Sequence, residues 1–258
     1  MVDTCILMLS CDKYNDLWGP FFTLFWQYWP DHSFKVYLGS NLLVYDDPRV
    51  KTIAIGEDNN WSHGLLKILE LIDTPYIILM LEDFFFRRPV NTNDVLRCIK
   101  ALKELDGEML RLIPRPRPDR PVPGYPFLGF IKPTSPYRVS TQGTLWRKSA
   151  LISLIRDGEN IWEFELKGTE RSWGEKEGYY SVWKTVLTYH HHVVEKGKWF
   201  RSAARRFGAM NIGCDFNARS VMSMEETFLW HISKLLSYPK GLVPWAFRQK
   251  LKQHIKTL

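Results

Sequence analysis

The sequence predicts an α/β domain built on a mostly parallel sheet with helices on both faces. Three observations carry that prediction. Short apolar runs alternate with segments of helical periodicity as far as residue 113. One run, Tyr76-Ile77-Ile78-Leu79-Met80-Leu81, is apolar throughout, as strands buried on both faces are. That run stops abruptly at Glu82-Asp83, and the carboxyl ends of such strands are where open α/β sheets place their ligands.

The elements follow in order. Residues 4–10 (TCILMLS) read as a buried strand, and residues 17–28 as a strongly apolar helix. Residues 34–38 and 50–55 read as strands. Residues 61–72 (WSHGLLKILELI) place apolar side chains at helical spacing and lead into the strand at 76–81. Residues 95–105 form the next helix, with Thr92 or Asn93 as its N-cap. Residues 109–113 are another strand. Residues 114–136 then carry eight prolines with Arg115, Arg117 and Arg120. Proline donates no backbone hydrogen bond, so this stretch reads as an extended loop. A strand is expected over 137–146 and a helix over 150–156. From Trp162 onward polar and aromatic residues mix without a clear period. Residues 241–258 read as a terminal amphipathic helix, which suggests a main domain over 1–240 and a C-terminal appendage over 241–258.

Composition narrows the function classes. At 258 residues, 45% hydrophobic and 24% charged, the chain can bury an ordinary core. It holds no apolar run of the roughly 18 residues a membrane span needs. Asp3 and Cys5 stand where a secretory leader would carry basic residues, so no signal peptide is expected. Cys5, Cys11, Cys98 and Cys214 lack CxxC spacing and read as reduced thiols, with no zinc site. These features suggest a cytoplasmic protein. The net charge of +7 gathers after Lys184, in Lys196, Lys198, Arg201, Arg205, Arg206 and the tail. A basic end suits an anionic membrane surface at least as well as nucleic acid, for which no motif is present. Eleven tryptophans suit either sugar-ring stacking or core packing.

Glu82 and Asp83 are the first candidates for chemistry. Consecutive residues of a regular strand point to opposite faces, so the two acids converge only if the strand ends at Leu81. Together they could hold a divalent cation and, through it, a diphosphate. The bland alternative is a loop cap, or an ion pair with Arg87 or Arg88.

Five segments, TCILMLSCDKYNDLW, TPYIILMLEDFFFRRPV, YRVSTQGTLWRKSAL, WEFE and EKGKW, give the chain its resemblance to a family. It resembles bacterial GT-A-fold glycosyltransferases of the polysaccharide and lipopolysaccharide type, whose nucleotide-binding half is Rossmann-like. The family carries a DxD motif after its fourth strand, and the matching positions here are Glu82 and Asp83, followed by Phe84. The resemblance implies donor and metal binding at those two acids, with manganese or magnesium as the cation. It places Ser10, Cys11, Asp12 and Tyr14 on the nucleotide, and Glu57 and Asp58 at the ribose. Helix capping is the alternative for Asp12 and for Asp58 or Asn59. Gln142, Thr144 and Trp146 would face the acceptor, and Lys198 the leaving diphosphate. Glu163 or Glu165 would be the general base, with Glu165 favoured. On a strand the two would share a face; on a helix they would not. One of His190, His191 and His192 could complete a metal site.

The implied activity is transfer of a sugar from a nucleotide-sugar donor to a saccharide or lipid-linked saccharide, with inversion, in cell-surface polysaccharide synthesis. A sugar nucleotidyltransferase is the enzymatic alternative, although its early glycine-rich loop is missing. A carbohydrate-binding protein without catalysis is the other. In the terminal segment, Phe247, Leu251, Ile255 and Leu258 alternate with Arg248, Lys250, Lys252 and Lys256. That pattern suggests docking on the inner face of an anionic membrane.

Overall fold

The computed structural model describes residues 3–57, 60–175, 177–191 and 193–237. The chain divides into two compact units, Met1–His191 and His192–Leu258. The first runs β1 (Thr4–Leu9), a 3-10 segment (Asp12–Leu17), α1 (Trp18–Tyr28), β2 (Lys35–Ser40), β3 (Val50–Ala54), α2 (Trp61–Glu70), β4 (Tyr76–Leu81) and β5 (Phe85–Phe86). It continues with α3 (Thr92–Glu104), β6 (Met109–Arg111), β7 (Arg120–Val122), β8 (Tyr125–Phe130), β9 (Thr144–Arg147), α4 (Lys148–Leu154), α5 (Ile161–Arg171), β10 (Tyr179–Val182) and β11 (Tyr189–His190). The second holds β12 (Val194–Glu195), β13 (Lys198–Trp199), α6 (Arg201–Gly208) and α7 (Met224–Ser237).

Nine strands of the first unit form one sheet in the order β3-β2-β1-β4-β9-β6-β10-β8-β7. β3, β2, β1 and β4 are mutually parallel. β9 runs antiparallel to both β4 and β6, and β10 runs parallel to β6. β8 is the second reversed strand, so the sheet is mostly parallel, as expected. Thr144 of β9 lies opposite Leu79 of β4 on one side and Arg111 of β6 on the other. The carboxyl ends of β4 and β6 therefore meet at one edge, beside the start of β9.

The sheet is buried on both faces. Cys5, Leu7, Ile77 and Leu79 pack with Leu65, Ile68 and Leu69 of α2, Leu151 of α4 and Phe164 of α5. The alternate residues Ile6, Met8, Ile78 and Met80 are equally inaccessible on the other side. That is why β1 and β4 read as continuous apolar runs rather than alternating ones.

Four local expectations need correcting. The 114–136 stretch is not loop throughout, because β7 and β8 form a hairpin within it. Pro121 is tolerated there because β7 is the sheet's edge strand, and Gly124 takes the positive φ of the turn. The expected strand over 137–146 shrinks to β9, since the residues before Thr144 bond to α5 rather than to a ladder. The cap of α3 is Asn91, whose side chain accepts from the amides of Asn93 and Asp94. The helix after residue 16 starts as a 3-10 segment, and α1 proper begins at Trp18.

β12 and β13 form a hairpin, with Lys196 and Gly197 at positive φ in its turn. Trp199 is fully buried, and its indole donates to the Asp215 carbonyl at 3.2 Å. The terminal segment 241–258, expected to be an amphipathic helix, lies outside the described residues. Among the described residues no helix is long and apolar enough to cross a membrane.

Candidate functional site

β4 ends at Leu81. The Phe84 amide donates to the Leu81 carbonyl at 3.2 Å, so Glu82 and Asp83 are the central pair of a turn. The sequence required such a turn before two neighbouring acids could act together. Both are half-buried. Glu82 faces the end of β1 closely enough to raise the Cys11 thiol, after burial the largest cause of that shift. Asp83 acts on Tyr189 of β11.

Past the turn, Phe84 stacks on Tyr189 with centroids 4.7 Å apart, and His191 lies 4.6 Å from the Tyr189 ring. β11 is held there by pairing with β5, Tyr189 opposite Phe86. Of the histidine triplet, His190 turns Nδ1 to the His191 carbonyl at 2.8 Å, and His192 lies outside the described residues.

Across the edge, α5 presents Glu165 to the segment before β9. Its Oε1 accepts from Ser140 Oγ at 2.7 Å, the Thr141 amide at 2.8 Å and Thr141 Oγ1 at 2.9 Å. All three arrive at Oε1, and among the described residues none arrives at Oε2. The carboxylate is thus fixed in orientation with one oxygen uncommitted. Glu163 is differently employed. WEFE lies on a helix, so the two acids do not share a face. Glu163 closes a capping box with Asn160 and pairs with Lys167 at 3.1 Å. The backbone amide of Asn160, then Lys167, holds its carboxyl below the usual range.

Other expected site residues have structural employment. Asp12 accepts from the amides of Asn41, Leu42 and Leu43 at 3.0–3.2 Å, so it organises the loop after β2 and has little capacity left for a base. Ser10 Oγ accepts from the Trp18 indole at 2.8 Å. Thr144 is fully buried and donates to the Gln142 carbonyl, and Trp146 is fully buried in the core beside Leu79 and Met109. Neither has surface to offer an acceptor. Gln142 does reach the edge, half-buried. Tyr14 is half-buried in the 3-10 segment, and Glu57 is exposed after β3. Asp58 lies outside the described residues. Lys198 belongs to the second unit, where it pairs with Glu226 at 2.5 Å.

Two groups at this edge escaped the sequence reading. Arg111, the last residue of β6, is 1% exposed, and its Nη2 donates to Gln142 Oε1 at 3.3 Å. Among the described residues its Nε and Nη1 find no hydrogen-bond partner, and neither does Tyr189 Oη; all three are buried. Burial drags the guanidinium down to about 10, against the opposing pull of Tyr189 and Glu165, so it stays protonated near neutral pH. A signal for Arg111 existed: a lone arginine inside the apolar run Met109-Leu110-Arg111-Leu112-Ile113. Nothing in the sequence singled out Tyr189.

For a divalent cation, Glu82 and Asp83 supply the right donor type, hard carboxylate oxygen. Among the described residues no third acid, histidine or cysteine joins them as a cluster. A cation of the magnesium kind takes one or two protein carboxylates and completes its shell from substrate phosphate and water, so the pair fits it.

No family model matches the chain, and no curated protein matches it in sequence. Solved structures resemble it. Residues 1–349 of S. aureus TarS in complex with UDP-GlcNAc match with a TM-score of 0.50 at 8% identity, over 98% of this chain and 71% of that one. Another crystal structure of TarS 1–349 gives 0.45 at 10% identity, over 69% and 60%. The mannosyltransferase PcManGT from Pyrobaculum calidifontis, in complex with GDP-Man and Mn2+, gives 0.49 at 11% identity, over 98% and 68%. The chain spans 60–71% of the length of the TarS structures it matches. The chain has a GT-A-like fold, a mostly parallel sheet flanked by helices.

Proposed function

We propose that this protein is a glycosyltransferase that moves a sugar from a nucleotide-sugar donor to a hydroxyl of a saccharide or lipid-linked saccharide. The observation that carries the reading is the placing of three carboxylates about one sheet edge. Glu82 and Asp83 sit in the turn after β4, and Glu165 faces the same edge from α5. The fold match to TarS bound to UDP-GlcNAc supports the donor class.

In this reading Asp83 and Glu82 are the residues that would hold a divalent cation, and such a cation would neutralise charge on the leaving diphosphate. Glu165 takes the proton from the acceptor hydroxyl at Oε2. Its Oε1 stays bonded to Ser140 and Thr141, so no reorientation is needed as the proton moves. Gln142 flanks the acceptor path. Inversion follows from the use of a single base. The acceptor's place in cell-surface polysaccharide synthesis, and docking of residues 241–258 on an anionic membrane, extend the proposal.

The test is a thermal-shift screen of nucleotide sugars with and without manganese, followed by donor turnover with and without saccharide acceptors. A folded chain that no nucleotide sugar stabilises would sink the proposal. Stabilisation by free oligosaccharide, with no donor turnover, would favour the carbohydrate-binding alternative.

A further inference from the structure

The described edge contains a charge that the proposed chemistry has not used. The Arg111 guanidinium is fully desolvated, and among the described residues no carboxylate forms an ion pair with it. Two of its nitrogens have no acceptor. A buried cation left in that state is costly, and an unsatisfied group of this kind requires an explanation. Tyr189 Oη is the neighbouring orphan. Burial pushes its phenol far above the usual range, so it is a neutral O–H donor at neutral pH. Gly143 links the two. Its carbonyl accepts from Leu112, the residue after Arg111, at 3.1 Å. A Cβ on Gly143 would lie 3.0 Å from the Tyr189 hydroxyl, so only a glycine leaves room for the phenol there.

One fixed cation, one neutral hydroxyl and a half-buried amide therefore lie near one another on the side of Asp83. A donor set with a buried positive charge suits an oxyanion best. We infer that Gln142, the partly exposed member of the three, contacts a substrate oxyanion, and that buried Arg111 and Tyr189 act on that contact from behind as positioning residues. The oxyanion is a phosphate oxygen of the donor diphosphate or a carboxylate carried by an acidic sugar. The low-dielectric surround makes the guanidinium's field on such a group far stronger than a surface arginine's. This inference rests on the proposed nucleotide-sugar reading and deepens it.

The test is calorimetric titration of the full chain with UDP and GDP, with uridine and guanosine as uncharged controls. UDP-glucose and UDP-glucuronate are compared as a second arm. Tyr189→Phe removes only an unpartnered hydroxyl, so a structural role predicts unchanged or higher melting temperature and unchanged binding. The inference predicts the same folding but roughly tenfold weaker binding of the anionic probe. Arg111→Met should lose more, and Arg111→Lys should recover part of that loss; nucleoside binding should not change. A loss seen with UDP or GDP assigns the oxyanion to the diphosphate. A loss confined to UDP-glucuronate assigns it to the sugar. If Tyr189→Phe and Arg111→Met both bind every anionic probe like wild type, the inference is overturned while the function stands. If the wild-type chain binds no nucleotide or nucleotide sugar, the function falls, and the inference with it.

Discussion

The carboxyl edge of the sheet and the aromatic block around α1 are built on opposite principles. In the block, Phe21, Phe22, Phe25 and Trp29 are fully buried, and rings meet rings. Phe25 packs on Trp26 at 4.7 Å and on His32 at 5.0 Å, and Phe22 stacks on Tyr45 at 4.9 Å. Such contacts are only weakly directional, and their energy scales with buried area. At the edge the decisive groups are few and directional. Glu165 is fixed by three hydrogen bonds, while Arg111 and Tyr189 are buried with atoms left unpaired. The block spends its residues on stability. The edge keeps polar groups poised at a cost in stability, as functional sites do.

The difference breaks most sharply at Asp83. Asp83→Ala should abolish transfer and leave the circular dichroism spectrum native, because the acid sits in a half-buried turn and not in the core. Turnover near wild type in that folded variant would remove Asp83 from the site. Glu165→Gln comes next. Its transfer rate should fall on the order of 10²–10⁴-fold with donor affinity kept, since a base acts in the transition state. Glu163→Gln should leave transfer near wild type, because that carboxylate caps its own helix. If the two variants exchange these phenotypes, the assignment of the base is inverted.

The sequence exposed the block and half of the edge, for physical reasons. Apolar runs and helical spacing report burial directly, so β1, β4, α2 and α3 were readable within a few residues. The tryptophans suggested sugar binding, yet Trp29, Trp146 and Trp199 are wholly buried. Composition gives a residue's chemistry and not which side of the surface it faces. Glu82 and Asp83 stood out because they interrupt an apolar run. Tyr189 did not, because only the pairing of β11 with β5, across about a hundred residues of chain, brings it beside Asp83. Asp12 looked like a ligand for the same reason in reverse: the loop it organises, at Asn41–Leu43, is distant in sequence.

Truncating a ring tests the other side of the comparison. Phe25→Ala should cost about 3–5 kcal/mol of stability, the range for deleting a buried phenylalanine. Typical domains have only about 5–15 kcal/mol to lose. Below its lowered melting temperature the variant should still turn over donor. A loss of activity out of proportion to the loss of folded protein would mean that the block shapes the site, and the contrast drawn here would fail.

The smallest expected effect lies at the imidazole in the block. His32 stacks between Trp26, at 5.5 Å, and Phe34, at 6.1 Å, and both its ring nitrogens are buried. Burial lowers its proton affinity below that of an ordinary histidine, outweighing the opposing pull of Asp31 and of the Phe34 backbone. The folded chain therefore resists the proton that the unfolded chain accepts. Above the ordinary histidine pKa of about 6.5 both states are neutral and His32 contributes no pH dependence. As pH falls through that value the unfolded state binds the proton first, and stability declines until the folded state protonates as well. Replacing the imidazole with a ring that cannot titrate should remove this slope. His32→Phe should match or exceed wild-type melting temperature at pH 7, because two buried polar atoms are gone and the stack remains. It should also lose less than wild type between pH 7 and pH 5. Parallel melting curves for the two proteins across that interval would show that His32 is not held neutral. The block would then be less dry than its rings imply.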